Sequence, residues 1–289
     1  MLALAVLAVS TLLLLLACIS DLKTTEVPDT VSIGLVAIIV AASIVHSVYS
    51  SDYSHLINTV AVGFAYFIVA LAMFYLGQWG GGDVKILAGI GCVLGYLNSI
   101  NYVWVNSEIL PYYVVYFINM GLIAIPYFVV YSIVVGWGNG RLMAEFAAQT
   151  KRKAFLLTVV ISFLPSLIAL YAHLTSFIPI YLMLPLFAVL STFLKVSEKV
   201  LFKRKVNPSE LKVGDVLAED LLVSGVKVVS SSNMEGLTEE QLTAIRKLEH
   251  LPDEVTVKLG VKFVPILLLA FLMTVFLGNP VEIAIFYFL

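Results

Sequence analysis

Two aspartates stand out by their surroundings. Asp83 follows Gly80, Gly81 and Gly82 and opens an apolar run in 79-WGGGDVKILAGIGCVLG-95. Asp21 closes another apolar run, in 17-ACISDLKTTEVPD-29. An Asp at a helix start is a common cap, and an Asp at the end of a hydrophobic run can simply mark an interface. Carboxylates at or within a membrane are also functional candidates by default. Two of them at one membrane face are the minimal equipment for aspartyl proteolysis. Close carboxylates do not both ionise easily, so they share a proton. The ionised one takes a proton from water and the protonated one donates to the scissile carbonyl. The titration belongs to the pair, so neither residue has a fixed role. Glycines allow backbone angles closed to other residues and let a substrate backbone approach. At a helix start, the dipole favours the charged form of Asp83.

The elements that must bring these residues together are membrane helices. The chain has 289 residues, is 61% hydrophobic and 12% charged, and has a mean hydropathy of +1.01. Soluble domains carry about twice that charge. Eight apolar runs approach spanning length: 2–20, 30–49, 56–77, 84–103, 111–135, 154–174, 177–194 and 261–278. The run 177–194 contains Pro179 and Pro185, which predicts a kink or tilt. With the N-terminus outside, the inner segments hold all 17 Lys and Arg. The outer ones hold only Asp52, Glu108 and Glu282 as acids. The positive-inside rule therefore places both termini outside and both Asp21 and Asp83 at the inner face. Leu15-Leu16-Ala17-Cys18 resembles a lipoprotein cleavage box, but no basic residue precedes Lys23, so retention of this segment is expected. Gly91 and Gly95 have the small-xxx-small spacing of close helix contacts.

The expected fold is all-α and polytopic, with a small cytoplasmic α+β domain before the last helix. The boundaries are 1–194 for a transmembrane catalytic domain, 195–260 for the insert, and 261–289 for the last helix and tail. Within the insert, 203-KRKV-206 reads as an anchor at the inner surface. Strands are predicted over 215–218, 225–230 and 254–258. A helix is predicted over 238–250, with a capping box from Thr238 to Gln241. The insert has no phosphate loop and no nucleic-acid signature, and its lone His250 reads as a surface residue. Cys18 and Cys92 both fall in spans and read as packing residues. His46, His55 and His173 lie at or near the outer side and read as non-ligands. Glu26 and Asp29, near Asp21, either attract a basic substrate or are solvated loop acids. Lys85 reads as a topology anchor, with local counter-charge as the alternative. Tyr112, Tyr113 and Trp137 fit interfacial belts.

The stretch Gly80-Gly81-Gly82-Asp83-Val84-Lys85, followed by Gly89, Gly91 and Gly95, resembles the GxGD-x-K motif of type IV prepilin peptidases. Asp21-Leu22-Lys23 through Val27-Pro28-Asp29 is similar to that family's first catalytic motif. The tail, with Gly214-Asp215-Val216-Leu217, Gly236-Leu237-Thr238 and Phe263-Val264-Pro265, resembles the archaeal branch that includes preflagellin peptidases. The resemblance implies an aspartic endopeptidase that removes a short basic leader from pilin-like or archaellin precursors on the cytoplasmic side. It implies Asp21 and Asp83 as the catalytic pair and Gly80 and Gly82 as motif glycines beside Lys85; with a basic leader as substrate, the acids Glu26 and Asp29 near Asp21 become candidate leader contacts. Its partners are a precursor helix and the lipid bilayer, with no nucleic acid, metal or cofactor. The paired-cysteine domain of bacterial members is missing, which puts their methyltransferase activity in doubt here. Three alternatives stand beside it: a presenilin-like or signal-peptide-peptidase-like protease, a transporter with the two Asp as ion relays, and a scaffold of pilus assembly, which would tolerate loss of both acids.

Overall fold

The computed structural model describes residues 2–102, 110–173, 178–223, 226–230, 236–248 and 251–283. Glu108, Gly225 and His250 lie outside these. The chain divides into two units: Met1–Ala124 with Gly260–Ile285, and Ile125–Leu259 with Phe286–Leu289.

The first unit holds α1 (Leu2–Thr24), α2 (Asp29–Ser50), α3 (Ser54–Tyr75), α4 (Gly81–Ser99), the first half of α5 (Tyr112–Val135) and, far along the chain, α11 (Val264–Phe276). Its core gathers Leu14 and Ala17 of α1, Leu35 and Ile39 of α2, Tyr66 of α3, most of α4, and Leu267 and Phe271 of α11. α4 is the central element, buried almost continuously from Ile86 to Leu97. The glycines allow this. A Cβ on Gly91 would sit 2.7 Å from Tyr66, and one on Gly95 would sit 2.4 Å from the Asn58 carbonyl oxygen. α3 and α4 thus touch backbone to backbone, as the small-xxx-small spacing predicts. Cys92 packs onto Gly63 in the same contact, and both cysteines are free and buried. By contrast α1, α2 and α3 keep large apolar side chains exposed, among them Leu12, Val48 and Phe64. Lipid is the solvent that suits such faces.

Among the described residues, six helical segments are long and apolar enough to cross a membrane: α1, α2, α3, α5, Lys153–Tyr171 taken as one, and Tyr181–Leu201. The sequence suggests eight, and the difference lies in α4 and α11. α4 opens with Gly-Gly-Asp-Val-Lys and carries three further glycines, so its apolar density is low. α11 has 13 residues, or about 20 Å of helix against a hydrocarbon core of about 30 Å. Both are buried against other helices.

At the end of the first unit away from the aspartates, His46 and His55 stack with ring centroids 4.3 Å apart. Tyr96 Oη lies 3.2 Å from His46 Nδ1, and Ser99 Oγ lies 3.0 Å from His55 Nδ1. Sequence separation hid this pair, because the short α2–α3 turn folds the two helices side by side.

In the second unit the run 154–174 is two helices, α7 (Lys153–Ser162) and α8 (Leu164–Tyr171). The break precedes Pro165, which cannot continue the hydrogen-bond ladder. α9 (Ile178–Leu201) is continuous with Pro185 inside it. Residues 136–153, which lie between two of the predicted apolar runs, contain α6 (Gly140–Thr150). Asn139 caps it by accepting from the Arg141 and Leu142 N–H groups, and Leu142 and Phe146 pack on Phe193 and Val196 of α9. The insert has a three-stranded antiparallel sheet ordered β1-β5-β2 and a hairpin of β3 and β4. β1 is Lys203–Val206, β2 Val216–Leu217, β3 Leu221–Val223, β4 Val226–Val229 and β5 Val255–Lys258. The basic run expected as a surface anchor is therefore β1, an edge strand registered with Lys203 opposite Lys258. α10 (Glu239–Arg246) keeps the predicted capping box, with Gln241 N–H donating to Thr238 Oγ1 and Thr238 N–H to Gln241 Oε1.

Candidate active site

Both aspartates stand where helices begin or end. α1 stops because Thr25 turns into the left-handed region at φ 60°, an uncommon choice for a β-branched residue. Ser20 Oγ and Thr24 Oγ1 donate to the Glu26 carbonyl at 2.9 and 3.3 Å and fold the loop back on the helix end. Asp21 is thereby buried, at 5% exposure, while Glu26 on the loop is exposed. α3 ends on Gly77 at φ 69°, whose N–H donates to the Phe74 carbonyl. This left-handed glycine stop releases Trp79 and the glycine loop.

Gly80, Gly81 and Gly82 are not among the residues with positive φ, so conformational freedom is not what the resting loop uses. What counts is the missing side chain. A Cβ on Gly82 would lie 3.3 Å from Val27 Cβ, so the glycine loop rests against the loop that follows Asp21. Gly80 N–H donates to Asp83 Oδ2 at 2.9 Å, which pins that carboxylate in the first turn of α4. Asp83 is therefore a helix cap through one oxygen, and its other oxygen carries no hydrogen bond among the described residues. The two aspartates are 62 positions apart in the chain, and they lie close enough for their charges to interact.

The other sequence-selected residues divide. Asp29, the first residue of α2, pairs with Lys85 of α4 at 2.5 Å. Lys85 is thus a counter-charge rather than only an anchor, and Asp29 is already partnered. Glu26 has no ion pair among the described residues. Among the described residues no group of three or more His, Cys, Asp or Glu is placed to hold a metal.

Sequence reasoning missed the third side of the site. Val264 N–H, at the start of α11, donates to Asp21 Oδ2 at 3.1 Å across 243 positions. Lys262 Nζ donates to the Leu22 carbonyl. The Phe263 and Trp79 rings pack at 5.2 Å between centroids. The only signal available was Phe263-Val264-Pro265 itself, since a proline in the first turn marks a helix start whose N–H groups are open to an acceptor.

The family comparison falls on the segment that carries both aspartates. Residues 8–125 match the family model described as the type IV leader peptidase family. A preflagellin peptidase of Methanococcus maripaludis is 34% identical over 101 residues, 31% of this chain and 44% of that protein. The chain thus matches less than half of that relative's length. No solved structure matches. Over residues 8–125, which hold Asp21, the glycine loop and Asp83, the chain is similar to the type IV leader peptidase family.

Proposed function

We propose that this chain is a membrane-embedded aspartic endopeptidase that removes the short basic leader from pilin-like or archaellin precursors at the cytoplasmic membrane face. The observation that carries the reading is that Asp21 and Asp83, both within the family-matched segment and each at a helix terminus, lie close enough for their charges to interact. Asp21 and Asp83 form the catalytic pair, with Gly80, Gly82 and Lys85 as the loop that presents Asp83. One carboxylate, ionised, removes a proton from water as it attacks the scissile carbonyl. The other, protonated, donates to the carbonyl oxygen; as the resulting diol collapses, the first gives the proton it took from water to the leaving amine and the second takes back a hydroxyl proton, which restores the pair. Anchoring through a single oxygen suits Asp83 to this work, because its free oxygen remains available to the water.

The segments carrying Lys and Arg fall on one side of the membrane if α4 and α11 are counted as inserted, and the aspartates share that side. A precursor helix then lies in the bilayer beside the enzyme, with its basic leader at the inner surface. Exposed Glu26 is the residue best disposed to meet that leader, since Asp29 is held by Lys85. In this reading 1–194 with 261–289 form the catalytic membrane part and 195–260 a cytoplasmic insert.

The test is cleavage of a tagged prepilin or prearchaellin in membranes by wild type, Asp21→Asn and Asp83→Asn. Wild type cuts at the leader junction, and both folded variants are inactive. A variant that still cuts near the wild-type rate makes that aspartate a cap and refutes the paired mechanism.

A further inference from the structure

Asp21 occupies the C-terminal end of α1, where the helix dipole opposes negative charge. Its carboxylate is buried all the same. Three consecutive residues from the far end of the chain meet the difficulty. Val264 N–H donates to Oδ2 at 3.1 Å, and the Phe263 N–H is directed at the same carboxylate. Both belong to the start of α11, so the favourable end of one helix dipole offsets the adverse end of another. Lys262 is close enough for its charge to act on Asp21. Its Nζ also donates to the Leu22 carbonyl, one of those a helix end leaves without an intrahelical partner. Phe263 reaches the other way, onto Trp79, the residue before the glycine loop.

We propose that Lys262–Val264 is a positioning strap of the aspartate site, holding Asp21 through two backbone amides and a lysine and bracing the Asp83 loop through Phe263 and Trp79. The proposal rests on the protease reading above. Lys262 is a positioning residue: it acts on the reaction through Asp21 and the end of α1. The strap lies outside residues 8–125, so the family-matched segment does not by itself contain a complete site. The strap also continues directly from β5 of the insert, which gives the insert a covalent route to the aspartate.

The experiment uses the full chain in membranes and in detergent, with Lys262→Gln, Lys262→Arg and Asp21→Ala beside wild type. Two readouts are taken: kcat and KM for a tagged precursor, and amide hydrogen exchange across 260–268 and α3–α4. Lys262→Gln lowers kcat about ten- to hundredfold, the range expected for small misplacement of a reacting group. Its KM stays near wild type, and Lys262→Arg recovers most of the rate. Asp21→Ala speeds exchange of the Phe263 and Val264 amides, because their acceptor is gone. Wild-type kcat in Lys262→Gln, or unchanged exchange of both amides in Asp21→Ala, overturns the strap. A Lys262→Gln chain that loosens throughout α3 and α4 makes Lys262 a structural residue and also overturns its positioning role. If wild type cuts no precursor, the protease reading fails. The exchange arm then decides the strap alone: faster exchange in Asp21→Ala supports it, and unchanged exchange overturns it.

Discussion

Gly95→Ala tests whether the α3–α4 contact sets the position of Asp83. The added Cβ would lie 2.4 Å from the Asn58 carbonyl oxygen, 3.0 Å from its carbon and 3.0 Å from Val62 Cβ. Ordinary contact begins near 3.4 Å, so the helices must separate by about 1 Å. The obstacle is main chain, so no rotamer change relieves it. Overpacking of this kind costs about 1–3 kcal/mol, and a main-chain clash belongs at the upper end. Against this, alanine is a better helix former than glycine by about 1 kcal/mol. The net expectation is a loss of about 1–2 kcal/mol. Gly34→Ala is the control, because its Cβ meets nothing within 4 Å inside α2 and only the propensity gain remains. The two variants should therefore differ by about 2–3 kcal/mol. Denaturant titration in mixed micelles, followed by tryptophan fluorescence, reads this difference. A Gly95→Ala protein as stable as Gly34→Ala would refute the close-contact argument. Cleavage supplies the second reading, since α4 carries Asp83 in its first turn. Gly95→Ala should lose activity while Gly34→Ala keeps it.

Other perturbations probe the site edges. Gly82→Ala presses on Val27 at 3.3 Å and should reduce cleavage several-fold, with partial recovery in the Gly82→Ala, Val27→Ala double variant; lack of recovery would argue against the contact as the cause. The Asp29–Lys85 pair is substantially exposed, so a double-mutant cycle on stability should give less than about 1 kcal/mol, falling with salt. Charge reversal of Glu26 should raise KM for a precursor with a basic leader and leave kcat unchanged, as steady-state kinetics would reveal. In the insert, Thr238→Ala removes the capping box and should cost about 1 kcal/mol. Gly236→Ala should cost more, because it combines φ 82° with a Cβ only 2.3 Å from the Gly214 carbonyl oxygen; circular dichroism melts of the full chain would order the two.

Much of this molecule is legible locally. Apolar runs set most of the helices, because a segment with no water to bond must satisfy its own backbone. The glycine spacing in α4 anticipated its contact with α3, since only small residues let backbones approach. Thr238 and Gln241 marked the start of α10 through a purely local hydrogen-bond exchange. Reading by local signal failed where a segment's fate depends on what covers it. α6 carries few apolar residues, and they suffice only once Phe193 and Val196 of α9 lie opposite. β1 shows the same dependence, because Lys203, Arg204 and Lys205 followed by Val206 carry no strand pattern until β5 pairs with them.

The sequence by itself determined that this chain carries helices long and apolar enough to cross a membrane, that Asp21 and Asp83 sit at helix ends, and that glycines rather than larger residues precede the second of them. These follow from composition, period and hydrophobic length, which are properties of neighbouring residues. Only the tertiary structure decided that Asp29 neutralises Lys85, that His46 stacks on His55, and that Asp21 is held by the Val264 amide, 243 positions away. Such contacts join backbone groups and side chains that are ordinary in their own local settings. An N–H at the start of α11 looks like any other helix start until the fold brings a buried carboxylate to it.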